Sequence, residues 1–159
     1  MIFGMTPVLF VHVLISLIGI VTGLIVLFGM PNNDRMNGMT LVFLLFTAAT
    51  TITGFILPLN GLTPPVILGI ISLVVLVATF AARYAFGMRG AWRWVYILGA
   101  TIALYLNFFV LVVQSFLKIP VLNALAPTGS EPPFAIVQGV VLLFFFVTGY
   151  LAVKRFRPV

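Results

Sequence analysis

The residues of this chain that could do chemistry are few, and most can only donate or accept hydrogen bonds. His12 is the single histidine. A lone imidazole can ligate haem iron, carry a proton or hydrogen-bond a quinone carbonyl. It can equally tie two helices together through Gln114, Asn107 or a backbone carbonyl, since a polar group in lipid must find a partner. Asn107, Gln114 and Gln138 could line a ligand pocket or a water path, or act as interhelical glue. None of these three titrates. Tyr105 and the sixteen phenylalanines, Phe108-Phe109 and Phe144-Phe145-Phe146 among them, could hold the body of a ring-shaped ligand; the plainer role is packing or contact with lipid. Glu131 could pair with His12, or complete a triad-like set with His12 and Ser16. No spacing ties those residues together, so a solvated loop charge near Lys118 is the expectation.

Much chemistry is excluded. With no cysteine there is no disulfide, thiolate metal site, iron–sulfur cluster or thiol redox couple. A second histidine for bis-histidine haem within the chain is lacking, and no metal site is expected. No zinc-protease, phosphate-loop or nucleophile-elbow motif occurs, and no catalytic constellation is recognisable. No charged residue falls at a helix centre, where ion-coupled pumps and proton relays usually carry one.

The elements that must position these side chains follow from composition. Apolar residues make up 63% of the 159-residue chain and charged residues 6%. The mean hydropathy is +1.31. So few charges cannot cover a water-facing surface, where about 25% is usual. Five segments are long and apolar enough to cross a hydrocarbon core of roughly 30 Å. They run over about 7–28, 40–57, 65–86, 91–116 and 134–153. Backbone groups in lipid must be satisfied within the segment, so the spans are helices. The expected fold is an all-α integral membrane bundle of five transmembrane helices, one domain over 1–159. Pro31, Asn32 and Asn33 close the first span; Pro58, Asn60, Gly61 and Pro64-Pro65 separate the second from the third. The longest connection, Lys118 to Pro133, could hold a short interfacial helix over Val121 to Ala126.

Within each span the polar and small residues mark one face. His12, Ser16, Gly19 and Gly23 form a helical stripe, and Gly19 with Gly23 permits close helix approach. Thr47, Thr51 and Gly54 share a face of the second span. Gly69, Ser72, Thr79 and Arg83 align on the third; Tyr96, Ala100, Ala103, Asn107 and Gln114 align on the fourth. Ser16, Gly19, Gly23, Thr47, Thr51 and Gly54 are expected to pack helices together. At 1.5 Å per residue, His12, Gln138 and Gln114 lie about 5–8 Å inside one boundary and Asn107 about 15 Å. The strong hydrogen-bonding side chains thus gather in one leaflet, leaving mostly Gly, Ala and interfacial aromatics for the other.

Charge suggests which leaflet. Arg35, Arg83, Arg89, Arg93, Lys154, Arg155 and Arg157 fall on one side of the five spans, and only Lys118 on the other. The positive-inside rule then puts the N-terminus out and the C-terminus in the cytoplasm, with the polar cluster in the outer leaflet. Trp92, Trp94 and Tyr96 flank Arg93 as an inner interfacial belt, with Arg89 beside it, and Arg83 can snorkel. The basic tail suits anionic headgroups, so the bilayer and not nucleic acid is the expected partner. The first span has no basic segment before it and no cleavage site after it, as a retained helix would.

The stretch from Trp92 through Tyr105-Leu106-Asn107 to Leu125-Ala126-Pro127-Thr128-Gly129-Ser130-Glu131-Pro132-Pro133-Phe134, with the His12 span, resembles small bacterial inner-membrane proteins that are themselves uncharacterised. The resemblance implies a multi-pass protein of a bacterial cytoplasmic membrane and no activity. Two function classes stand out. The first is a binding or accessory protein whose outer-leaflet pocket, near His12, Tyr105, Asn107, Gln114 and Gln138, holds a quinone, a haem or a lipid. The second is a channel or transporter built as a homo-oligomer or within a larger membrane complex. A membrane-embedded enzyme ranks third.

Overall fold

A computed structural model describes residues 4–58 and 61–158; Asn60 lies outside them. The chain forms α1 (Pro7–Gly29), α2 (Asn37–Ile56), α3 (Pro64–Phe80), α4 (Trp92–Lys118), α5 (Pro120–Leu125) and α6 (Pro132–Arg155). A π-helical turn, Ala81–Ala85, extends α3. Five of these helices are long and apolar enough to cross a membrane, as in a multi-pass membrane protein. With the π-helical turn counted into α3, their ends fall within three residues of the sequence expectation, the largest difference being the start of α2 at Asn37. The short helix expected near Val121 is α5.

The two ends of the bundle differ in chemistry. The histidine end carries the start of α1 and the α2–α3 and α4–α6 connections; the arginine end carries the other connections and the C-terminal tail. Every helix that starts at the histidine end has proline in its first turn: α1, α3, α5 and α6. Proline costs nothing there, because the first amides have no intrahelical partner. Thr6 adds a cap to α1, its Oγ1 accepting from the Leu9 amide at 3.3 Å.

Helices α1 and α2 pack along each other as one antiparallel pair, and α3 and α4 as another. Contacts of α2 with α3 and of α1 with α4 close these into a four-membered ring, and α6 lies outside against α4. Small residues set the closest approaches. A methyl group at Gly19 would meet the Thr47 backbone nitrogen at 3.4 Å, and one at Gly23 would meet Phe43 and Leu104 at 2.6–2.7 Å. Gly99 receives the Thr79 hydroxyl from α3, and Gly149 brings α6 onto Thr101. Close approach thus falls at Gly19 and Gly23, at Gly99, which pairs with Ala103 at the same four-residue spacing, and at Gly149, which no such pair marks.

Burial is lopsided along the membrane normal. The buried side chains of α1 run from Gly19 to Gly29 and those of α2 from Thr40 to Thr47. On α3 they begin at Leu76, and most of those on α4 lie between Arg93 and Leu104. All of these belong to the arginine half. The histidine half of the ring is left open, apart from a small cluster of Val112, Phe116 and Ala126 under α5.

The arginine half also departs from expectation. Arg83 does not snorkel: only 5% of it is exposed. Its Nη2 donates to the Arg35 carbonyl at 2.9 Å and to Asn37 Oδ1 at 2.7 Å, and its guanidinium sits 5.1 Å from the Tyr96 ring centre. Arg93, 9% exposed, donates to the Val153 and Phe156 carbonyls at 2.8 and 2.9 Å, closing the C-terminus of α6. A guanidinium has five donors in a fork, and helix ends and loops supply unpaired carbonyls for it, so both side chains bury where a lysine could not. The tail after α6 turns back: the Arg157 amide donates to Asn33 Oδ1 at 2.7 Å and Arg35 Nη1 to the Pro158 carbonyl at 3.1 Å. Phe156 is buried, while Arg89, Trp92, Trp94, Lys154 and Arg155 are exposed at this end of the bundle.

Candidate functional site

The open histidine half contains a cavity of about 670 Å³. All four ring helices line it. α1 contributes Leu9, His12 and Ser16; α2 contributes Thr47, Thr50, Thr51, Gly54 and Phe55. α3 contributes Val66, Gly69 and Ser72, and α4 contributes Ala103, Asn107, Val110, Gln114 and Lys118. The lining stops at Ser16, Thr47, Ser72 and Ala103; beyond that level the buried core begins. The cavity is a blind pocket of the size small-molecule sites usually have.

His12, Asn107 and Gln114 line this cavity together, which shared depth alone does not imply. Four residues expected to pack helices, Ser16, Thr47, Thr51 and Gly54, also face this space. Glycine at position 54 leaves room for the imidazole, since a methyl group there would lie 3.6 Å from His12 Cε1. Gln138 and Tyr105 are not part of it. Gln138 Nε2 donates to the Phe109 carbonyl at 3.3 Å, tying α6 to α4, and Tyr105 stacks edge-on against Phe145 at 5.7 Å. Both look toward the α4–α6 interface. Depth alone could not separate the two faces of α4, because only the helix order decides which face α6 covers.

His12 hydrogen-bonds neither amide. Its Nδ1 lies 2.7 Å from Thr53 Oγ1, which in turn lies 2.7 Å from the Ala49 carbonyl oxygen. The hydroxyl has one hydrogen, and two oxygens that close without a hydrogen between them repel. The ring nitrogen can carry a hydrogen and the carbonyl cannot. Nδ1–H therefore donates to Thr53, and Thr53 donates to Ala49. Thr53 sits two positions along α2 from Thr51, outside the stripe of Thr47, Thr51 and Gly54, so the stripe does not single it out as the partner of His12.

The cavity wall sorts into acceptors and donors. The hydroxyls of Ser16, Thr50, Thr51 and Ser115 each donate back to a carbonyl of their own helix, at 2.7–3.0 Å. Their hydrogens are spent, so these oxygens offer lone pairs. Against them stand the amides of Asn107 and Gln114 and the Lys118 ammonium. Asn107 Nδ2 is buried with no hydrogen-bond partner, as is the oxygen of Thr47, a residue only 2% exposed. A buried donor without an acceptor costs about 1–3 kcal/mol.

Glu131 plays no part in this site. Its carboxylate accepts from the Thr128 hydroxyl at 2.7 Å and from the Thr128 and Ser130 amides at 3.1 Å, organising the turn before α6. The Thr128 hydroxyl bond, above all, holds its pKa below the usual carboxylate range. Lys118 is not its partner.

No family model, no curated protein and no solved structure matches this chain.

Proposed function

We propose that the protein is a membrane-embedded binding or accessory protein that holds an apolar ligand with a polar head in the cavity between α1, α2, α3 and α4. One observation carries the reading: a blind cavity of about 670 Å³ whose apolar wall is interrupted by His12, Asn107 and Gln114. A quinone, a haem or a lipid has the required combination of apolar body and polar atoms; Phe55, Val66 and Val110 would hold the body. The buried core beneath the cavity supports a binding role over a conduit through one chain. On the charge distribution, the cavity belongs to the outer leaflet of a bacterial cytoplasmic membrane, with the C-terminus inside.

Native mass spectrometry of protein extracted gently from its own membrane tests this. The expected result is a retained small-molecule mass that Asn107→Leu and Gln114→Leu weaken. Bare protein, or full retention by both variants, would sink the proposal. Bare protein in a fixed oligomer would move the weight to a homo-oligomeric channel or transporter.

A further inference from the structure

The hydrogen-bond chain at His12 has a consequence for the kind of ligand that suits the cavity. Nδ1 carries the ring hydrogen and gives it to Thr53, whose own hydrogen is committed to Ala49. In a neutral imidazole one nitrogen donates and the other accepts. Nε2 is thereby left as a lone-pair acceptor, with no hydrogen-bond partner among the described residues. The cavity wall contains no carboxylate that could pair with an imidazolium, and it contains the Lys118 ammonium. Around His12, the hydroxyl oxygens of Ser16, Thr50 and Thr51 have also spent their hydrogens and present lone pairs. Next to His12, the α1 and α2 hydroxyls are therefore acceptors. Deeper on α2 the Thr47 hydroxyl keeps an unspent hydrogen and is buried without a partner, as is Asn107 Nδ2 across the cavity on α4.

We infer that His12 selects a ligand bearing an O–H group, a phenol- or quinol-type head on an apolar tail, whose hydroxyl donates to Nε2. A head that offers only carbonyl or ether oxygens would face the His12 side lone pair to lone pair. Thr53 acts here as a positioning residue, holding the ring in the tautomer that accepts. The inference rests on the cavity being a binding site, as proposed above.

A matched pair of probes tests it: 4-nonylphenol and its methyl ether, 4-nonylanisole, differ in the hydroxyl hydrogen and share the tail. Binding is measured to protein in lipid nanodiscs, with partitioning into empty nanodiscs subtracted. The wild type is expected to prefer the phenol by about three- to tenfold, the ratio that one buried hydrogen bond usually confers. His12→Phe should abolish that preference while still binding alkyl probes. Thr53→Val leaves the imidazole in place but releases its tautomer, and should shrink the preference; it also serves if His12→Phe does not fold. Equal binding of the two probes to the wild type would overturn the inference and leave the cavity as a binding site. So would a preference that survives in His12→Phe. If neither probe binds above the empty nanodisc level, the binding reading itself falls, and this inference with it.

Discussion

At the scale of single residues, chemistry depends on what each polar atom is left to do. Asn107 and Gln138 look equivalent as amides in apolar helices, yet Asn107 lines the cavity with its Nδ2 buried and unmatched, while Gln138 bridges α6 to α4 and leaves its own Oε1 buried and unmatched. Replacing Asn107 with leucine removes a buried amine that has no partner, so the ligand-free protein should become no less stable, and even slightly more so. Gln138→Leu gives up the bond to Phe109 and also removes the unmatched Oε1, so the two effects offset. It should cost less than one hydrogen bond, about 0.5–1.5 kcal/mol, and leave ligand retention unchanged. Thermal unfolding in detergent beside native mass spectrometry separates the two effects. Arg83 is the opposite case, a buried cation whose Nη2 gives two bonds to neutral acceptors. Arg83→Met would remove these charge-assisted bonds to the Arg35 carbonyl and Asn37 Oδ1 and should cost roughly 1–3 kcal/mol. Arg83→Lys should not restore it, because an ammonium cannot reach a fork of acceptors and lie over the Tyr96 ring together. Full stability in the lysine variant would refute that account.

At the scale of elements, glycine and proline carry most of the information. Proline starts the helices of the histidine end, and glycine sets how closely the helices approach. Gly23 lies where Phe43 and Leu104 converge, so Gly23→Ala should lower stability by about 1–3 kcal/mol through overpacking. Gly139 has open space where its methyl would point, so Gly139→Ala should be neutral or mildly stabilising. A pair of melting curves decides whether the close contact or helix propensity dominates. The turn before α6 depends on an ionised Glu131. Its carboxyl is held below the ordinary range by the folded turn, so the turn gains stability that is fully present above the unfolded pKa. That stability drains away as pH falls through the lower, folded value. The protection factors of the Thr128 and Ser130 amides, corrected for the intrinsic exchange rate, should therefore hold at neutral pH and fall only in acid, below the usual carboxylate titration. In Glu131→Gln, the protection should be weaker at neutral pH and lack that acid transition.

At the scale of the whole molecule, the asymmetry of charge and the asymmetry of packing coincide: the basic end is dense and the histidine end is hollow. If the basic end faces the cytoplasm, the cavity opens toward the outer leaflet. The natural absence of cysteine makes this easy to check. A cysteine at Ala124, exposed on α5, should react with an impermeant maleimide in intact cells; one at Arg89 should react only after permeabilisation. The reverse pattern would invert the orientation and move the cavity to the inner leaflet. Helix number, helix ends and the placement of His12 and Gln114 toward the same end of the bundle were legible in the sequence. Length, apolar runs and proline placement are local properties, and a bilayer of fixed thickness turns them into spans. The clustering of bases at one end was legible for the same reason. What covers each face was not. That α6 packs on α4 and so takes Gln138 and Tyr105 away from the cavity depends on helix order around the bundle. The partner of His12, the burial of Arg83 and Arg93 and the return of the tail onto Asn33 join residues 41 to 124 positions apart. No local pattern encodes such contacts; close packing of the finished bundle decides them.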